Sequence, residues 1–264
     1  MKIELAIIGG TGFYYPGIMD NSEEFTVKTA FGETQFIGGT YQGLNIAFLA
    51  RHGQEHAVPP HRINYRANIA ALQKIGVQRV LAATAVGTLK EQLPPGTLVI
   101  IDQFIDFTKN RPQTFYDGDD EKGVVHTDFS EPYCPQIRER LKTTLNNKGS
   151  FFAEKGTYIC TEGPRYETPA EIKAFALWGA DVVGMTNVPE VTLAREAGLC
   201  YANLSLVTNF AAGISPRPLN HQEVVEMMED KLDLIREVCM DTLISLPPER
   251  KCHCWQKENF PLGQ

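Results

Sequence analysis

The 264-residue chain is 43% hydrophobic and 22% charged, proportions that suit a globular protein with a buried core and one large domain or two small ones. Its formal net charge of −7 excludes a broad surface for nucleic acid or anionic membrane, since both need clustered cations. No apolar run approaches membrane-spanning length and the N-terminus lacks a signal-peptide pattern, so a cytoplasmic protein is expected.

Residues 3 to 8 read as a strand that empties into Gly9-Gly-Thr-Gly12. The spacing is not G-x-G-x-x-G, but a glycine turn with the Thr11 hydroxyl suits a phosphate held by backbone N–H groups. Alternation over residues 24 to 50 predicts antiparallel strands ending at Arg51-His52-Gly53. There Arg51 offers an anion a fork of donors and His52 one more; a plain surface turn is the alternative. His56 and His61 follow among prolines without nearby carboxylates, and no metal site is expected there.

Tyr65, Ile69, Leu72 and Ile75 recur at helical spacing, with Gly76 as the stop. Val80 to Gly87 reads as a buried strand whose carboxyl end exposes Thr84 and Ala85. Thr97 to Ile101 is a second one, and the two predict a largely parallel or mixed sheet. Residues 107 to 126 form a polar, turn-rich loop of the length that often carries function or an interface. Pro135 to Leu145 is an amphipathic helix, and residues 156 to 161 lead into the chemically richest stretch, Thr161 to Glu190.

Within that stretch Thr168, Pro169 and Glu171 make a capping box for a helix ending near Gly179. A short strand then delivers Met185 and Thr186, and Asn187-Val-Pro-Glu190 reads as a second helix start, with a capping role for Asn187. Two such junctions would ring one crevice at a strand end with N–H groups, hydroxyls and a carboxylate. Val191 to Gly198 is helical and Tyr201 to Val207 a strand that ends in Thr208-Asn209. Asn220-His-Gln-Glu223 caps a long helix to about Leu246, with Val224, Met228, Ile235 and Cys239 facing inward. One domain over residues 1–264 is expected, residues 247–264 being its tail.

Cys134, Cys160, Cys200 and Cys239 occupy apolar or element-terminal positions that suit buried reduced thiols. Cys252-His253-Cys254 could be a strained disulfide, a redox pair, half of a metal site or an inert tail. No second ligand pair stands out, so no metal is expected. A nucleophilic hydrolase is also unsupported, since the chain has no G-x-S-x-G elbow, no H-E-x-x-H helix and no Cys-His pairing. Small hydroxyls, glycine turns, one Arg and amides at strand ends bind and polarise. They suit a reaction whose nucleophile is itself a bound ligand.

Six segments in order, Gly9-Gly-Thr-Gly12, Leu49-Ala-Arg-His-Gly53, Val99-Ile-Ile-Asp-Gln-Phe-Ile-Asp106, Thr161-Glu-Gly-Pro-Arg165, Met185-Thr-Asn-Val-Pro-Glu190 and Glu196-Ala-Gly-Leu-Cys-Tyr-Ala202, resemble the purine nucleoside and methylthioadenosine phosphorylase family over nearly the whole chain. The resemblance implies a single α/β domain with a central mixed β-sheet flanked by helices, a homotrimer or dimer of trimers, and no cofactor. It implies phosphorolysis, in which inorganic phosphate attacks C1′ of a purine nucleoside as the glycosidic bond loosens. Thr11, Arg51, His52, Thr84, Ala85 and Thr186 would then bind phosphate. Met185 would pack on the ribose, Tyr166 and Val224 would line the pocket, and His126 would enter a neighbouring subunit's site. Asn209, Glu167 and His52 would serve catalysis.

Relatives that cleave methylthioadenosine carry Ser, Asp and Asp where this chain has Glu167, Asn209 and Ala211. A carboxylate at 167 can accept from a protonated ring N1 and an exocyclic amine, while the Asn209 amide can donate to O6 and N7. The pair complements hypoxanthine or guanine, whereas adenine sets an acceptor against an acceptor at N1. His221 stands where 6-oxopurine phosphorylases bond the 5′-hydroxyl; otherwise it is a helix-start histidine facing solvent. The expectation is a 6-oxopurine nucleoside phosphorylase acting on inosine and guanosine in purine salvage. Its alternatives are phosphorolysis of methylthioinosine or methylthioadenosine, and a nucleoside-binding protein without turnover. The Cys-His-Cys tail resembles disulfide-forming tails in some heat-stable members of the family.

Overall fold

The computed structural model describes residues 2–10, 13, 17–53, 57–118, 123–215 and 220–255, without the His221 side chain. Among them eleven strands join in one mixed sheet. β1 (Leu5–Gly9) opens it, and β2 (Asp20–Thr29), β3 (Gly32–Tyr41) and β4 (Leu44–Ala50) follow as the antiparallel run that the alternation predicts. β4 then lies parallel to β1.

The central strand is β5 (Arg79–Thr88). One of its edges pairs along its whole length with β11 (Cys200–Phe210), parallel and with a bulge between Val207 and Asn209. The other edge pairs with β1 from Arg79 to Ala82, and with β10 (Val182–Gly184) only at Gly87 and Thr88. Between Ala82 and Gly87 that edge therefore meets no described strand, and the sheet has a gap at its centre. β9 (Thr157–Thr161) and β7 (Gln103–Phe107) continue beyond β10, and β6 (Leu98–Ile100) and β8 (Phe152–Ala153) continue beyond β11.

Strand alternation sends Ala6 and Ile8 to one face and Leu5 and Ile7 to the other. The first face is covered by α1 (Tyr65–Lys74) and α4 (Asn187–Glu196) through Ile69, Leu72, Val191 and Leu193. The second is covered by α2 (Pro135–Asn147) and α5 (His221–Ile244) through Ile137, Leu141, Ile235 and Cys239. α3 (Pro169–Leu177) packs Ile172 and Phe175 on Ile159 and Val183. No described helix is long and apolar enough to cross a membrane.

The local signals hold. Asn64 caps α1 by accepting from the Ala67 N–H, Thr168 and Glu171 form both arms of the capping box, and Asn220 accepts from the Gln222 N–H. Gly76 and Gly179 stop their helices at φ of 92° and 90°, a region open to glycine at little cost.

Candidate functional site

The gap in the β5 edge is the place where a ligand can meet strand backbone. Residues two apart on a strand present their peptide groups to the same edge. Arg51, at the end of β4, donates from Nη1 to the Ala83 carbonyl at 3.2 Å, so Ala85 presents its own peptide to the same opening. Ala85 is exposed in an otherwise buried strand. The neighbouring strands β1, β4 and β10 end around this opening, while β5 runs past it.

Arg51 does not stand there as an open fork. Its Nε and Nη2 donate to the two Glu190 oxygens at 2.7 and 2.9 Å, and the pair is 3% and 1% exposed. Tyr201 adds its hydroxyl to Glu190 Oε1 at 2.8 Å. Burial alone would lower the guanidinium pKa, but the Glu190 carboxylate outweighs it and the net shift is upward. One N–H remains on each terminal nitrogen for a ligand. At His52, Nδ1 lies 2.8 Å from the Val58 carbonyl. A neutral ring held this way carries its proton on Nδ1 and makes Nε2 an acceptor, which suits the P–OH of hydrogen phosphate.

Thr84 departs from the expectation of an exposed strand end. It is buried, with its hydroxyl 3.1 Å from Asn203 Oδ1 and 2.8 Å from Ser205 Oγ, because β11 runs alongside and its odd-numbered residues face the same way. The strand also continues to Thr88 rather than stopping near Ala85. Thr84 can reach a ligand only by rotating its hydroxyl out of this trio.

At the end of β10, Met185 is half-buried and Thr186 buried. Thr186, not Asn187, is the N-cap of α4, and it makes no side-chain capping bond. Asn187 is fully buried, and its Oδ1 accepts from Tyr133 at 2.9 Å. The expected capping role is therefore wrong: the chain passes through non-helical Val188 before the regular helix, and the Asn187 side chain is spent on a core partner. The expected ring of helix N–H groups is also reduced. Val188 has non-helical φ and ψ, its N–H meets Cys160 Sγ at 3.4 Å, and Pro189 has none.

Tyr158 lies across Gly184 with its hydroxyl 3.4 Å from the Thr186 N–H. A Cβ at Gly184 would overlap the Tyr158 hydroxyl and ring, and Tyr158 is fully buried. Gly184→Ala should therefore cost about 1–3 kcal/mol of unfolding free energy by overpacking. Chemical denaturation checks it, and an unchanged denaturation midpoint would show that Tyr158 can move freely.

The residues expected around the base lie on two segments, around Glu167 and around Asn209, that meet where Gly213 approaches Pro169. Glu167 is half-buried, and the Thr161 hydroxyl donates to its Oε1 at 2.6 Å. Burial raises the Glu167 pKa above the ordinary value, more than the Thr161 hydrogen bond lowers it. Asn209 is buried at the bulge of β11, its Oδ1 accepting from Thr208 and its Nδ2 donating to the Phe210 carbonyl, both at 2.9 Å. That arrangement leaves one N–H for a base rather than the two expected. Ala211 is buried beside Gly87. Gly213, at φ 81°, touches Pro169 closely enough that a Cβ would collide with it, which brings the 209–213 segment against the turn that holds Glu167.

Tyr166 is 39% exposed, Val224 partly buried, and His126 exposed on an extended segment beside Val124. Thr11, His56 and the His221 side chain lie outside the described residues.

Nothing local in the sequence marks Arg111. Its side chain is buried in the loop after β7, where Nη1 donates to the Met185 and Val188 carbonyls and Nη2 to those of Thr161 and Glu162, at 2.7 to 3.1 Å. It clasps the ends of β9 and β10 together. A single Arg in a polar loop carries no periodicity that could have revealed this. Glu190, Asn203 and Ser205 were missed for the same reason, since their partners lie far along the chain.

A central mixed sheet with a gap in the edge of its middle strand, flanked by helices on both faces, defines a class of α/β fold. The profile of the Phosphorylase superfamily matches residues 4–245, and this chain belongs to that family. It is 57% identical over 252 residues to a protein of Dictyoglomus turgidum named as a probable 6-oxopurine nucleoside phosphorylase, covering 96% of this chain and 95% of that one. It is 50% identical to the 6-oxopurine nucleoside phosphorylase of Pyrococcus furiosus, covering 95% and 96%. The structure of methylthioadenosine phosphorylase from Schistosoma mansoni in complex with adenine superposes with a TM-score of 0.88 at 33% identity, covering 94% and 93%.

Proposed function

We propose that this protein catalyses phosphorolysis of 6-oxopurine nucleosides, inosine and guanosine, to the free base and ribose 1-phosphate. The observation that carries the proposal is the juxtaposition of the Thr161-held Glu167 carboxylate with the Asn209 segment across the Pro169–Gly213 contact. Glu167 accepts from N1–H of the base, and the remaining Asn209 N–H stabilises N7 or O6 as the base departs. Phosphate occupies the gap in the β5 edge, met by Arg51, His52, Thr84, the Ala85 peptide and Thr186, with Thr11 as a further donor. Met185 would pack on the ribose, Tyr166 and Val224 would line the pocket, and His221 would bond the 5′-hydroxyl. A trimer, in which His126 enters the neighbouring site, is supported by the exposure of Val124 and His126 on one extended segment.

Release of free base from inosine, guanosine, adenosine, methylthioinosine and methylthioadenosine, each with and without phosphate, tests the reading. Phosphate-dependent cleavage of inosine and guanosine with adenosine inert is the expected result. The second reading is a preference for methylthio nucleosides, favoured by the likeness to a methylthioadenosine phosphorylase, and the same assay distinguishes it. Nucleoside binding without a phosphate-dependent product would instead identify a binding protein.

A pH dependence follows from Glu167, whose pKa is raised chiefly by burial. The ionised form accepts from N1–H of inosine, and the protonated form donates to N1 of adenine. As pH falls through this raised pKa, kcat/KM for inosine should decline while that for adenosine does not, so the selectivity narrows on the acid side. Glu167→Gln should remove that acid limb. A profile for inosine that is flat down to the ordinary glutamate pKa would count against the role.

A further inference from the structure

Four cysteine sulfurs that lie far apart in sequence, those of Cys134, Cys200, Cys252 and Cys254, all fall within 4.8 Å of one another and are buried. The second ligand pair that could not be found by spacing is thus supplied by the fold. None of the six cysteines is bonded to another, and the Cys200 and Cys252 sulfurs are 3.4 Å apart. A tetrahedral four-thiolate zinc, with Zn–S near 2.3 Å, needs sulfurs about 3.8 Å apart. The separations here bracket that value.

The cluster is built by anchors that do not depend on its contents. Cys134 is the N-cap of α2, and its backbone N–H donates to the Tyr201 carbonyl at 2.7 Å. Cys200 opens β11, held by its N–H to the Gln78 carbonyl at 2.9 Å. The tail is brought to them by Arg79, which donates to the carbonyls of both Pro247 and Pro248 at 2.7 and 3.0 Å. Gln136 then brackets the tail, donating to the Glu249 carbonyl and accepting from the Lys251 N–H. Arg250 stacks over Trp255 to close the turn.

The positive end of the α2 dipole lies at Cys134, where a metal-bound thiolate is favoured, and a cation in the cluster would take the place of the thiol protons.

We infer that Cys134, Cys200, Cys252 and Cys254 form a structural site for zinc that fastens the C-terminal tail to the starts of α2 and β11. Binding converts four thiols to four thiolates, releases four protons and changes no oxidation state. The site lies at the opposite end of β11 from Asn209, about 30 Å away along the strand, so its role is to hold the tail and not to act on substrate.

The test uses the full-length protein purified anaerobically with reductant and supplied with zinc, then desalted. One tightly held zinc per chain by elemental analysis is expected. Cobalt(II) in its place should give intense sulfur-to-metal charge transfer and the visible bands of a tetrahedral ion. The Cys252→Ser, Cys254→Ser double variant should lose the metal and melt at lower temperature, with phosphorolysis at moderate temperature kept. Cobalt spectra on the unaltered chain decide the matter if the variant fails to fold. Two outcomes overturn the inference: no metal with four titratable thiols in this cluster, or no metal with an intact mass lower by about four hydrogens, the signature of two disulfides.

Discussion

Glu190→Gln is expected to lower the unfolding free energy by about 3–5 kcal/mol, the usual cost of leaving a buried ion without its partner. The two side chains are almost wholly enclosed, so little water can replace the lost charge. Glutamine keeps the shape but turns an amide donor toward the guanidinium, and one of the two Arg51 bonds at 2.7 and 2.9 Å must fail. The Tyr201 hydroxyl also loses its anionic acceptor. Urea denaturation at neutral pH measures the loss.

A second arm separates stability from chemistry. Replacing both partners by methionine, Arg51→Met with Glu190→Met, should restore most of the stability, because an apolar pair avoids the desolvation cost of two buried ions. Phosphate binding should remain lost, since Arg51 is the cation facing the gap. A loss of less than about 1 kcal/mol in Glu190→Gln, the worth of an exposed ion pair, would sink the idea that Glu190 compensates the buried charge of Arg51.

Asn209→Ala should reduce kcat/KM for inosine by about 10²- to 10³-fold, the range seen when one donor to a developing anion is removed. The base acquires its negative charge only as the glycosidic bond breaks, so the loss should fall mainly on kcat, with KM changing little. Thr208 and the Phe210 carbonyl fix the amide with one N–H to spare. Asn209→Asp should be at least as damaging, because it places a carboxylate where the leaving base becomes negative. Steady-state kinetics under saturating phosphate provide the measurement. An Asn209→Ala enzyme within about tenfold of the parent would mean that the base is stabilised from elsewhere.

The first effect depends on a contact that brings distant segments together, and it marks the limit of what spacing can reveal. The Arg51–Glu190 pair joins positions 139 residues apart. Arg51 was singled out because it ends an apolar strand, but nothing near it names its partner, so an open anion clamp was expected where the structure has a compensated ion. Thr84 was misjudged similarly. Its exposure depends on Asn203 and Ser205 in a strand that runs alongside it only once the sheet has formed. Asn187 has the composition of a cap, but a non-helical Val188 follows it and Tyr133, 54 residues away, takes its side chain into the core.

The sequence alone determined whatever depends on neighbours within a turn or two of chain. Period-2 alternation set the antiparallel run from β2 to β4, period-3.6 spacing set α1 and α2, and the Thr168 and Glu171 box set the start of α3, because each is decided by backbone geometry and local hydrogen bonds. Six ordered segments also sufficed to indicate the family. Tertiary structure alone decided the gap in the β5 edge, the carboxylate partner of Arg51, the clasp of Arg111 on the ends of β9 and β10, and the meeting of Cys134 and Cys200 with the tail. Each of these is a pairing between segments whose separation along the chain places no restriction on their contact until the sheet and its two helical layers have closed the distance.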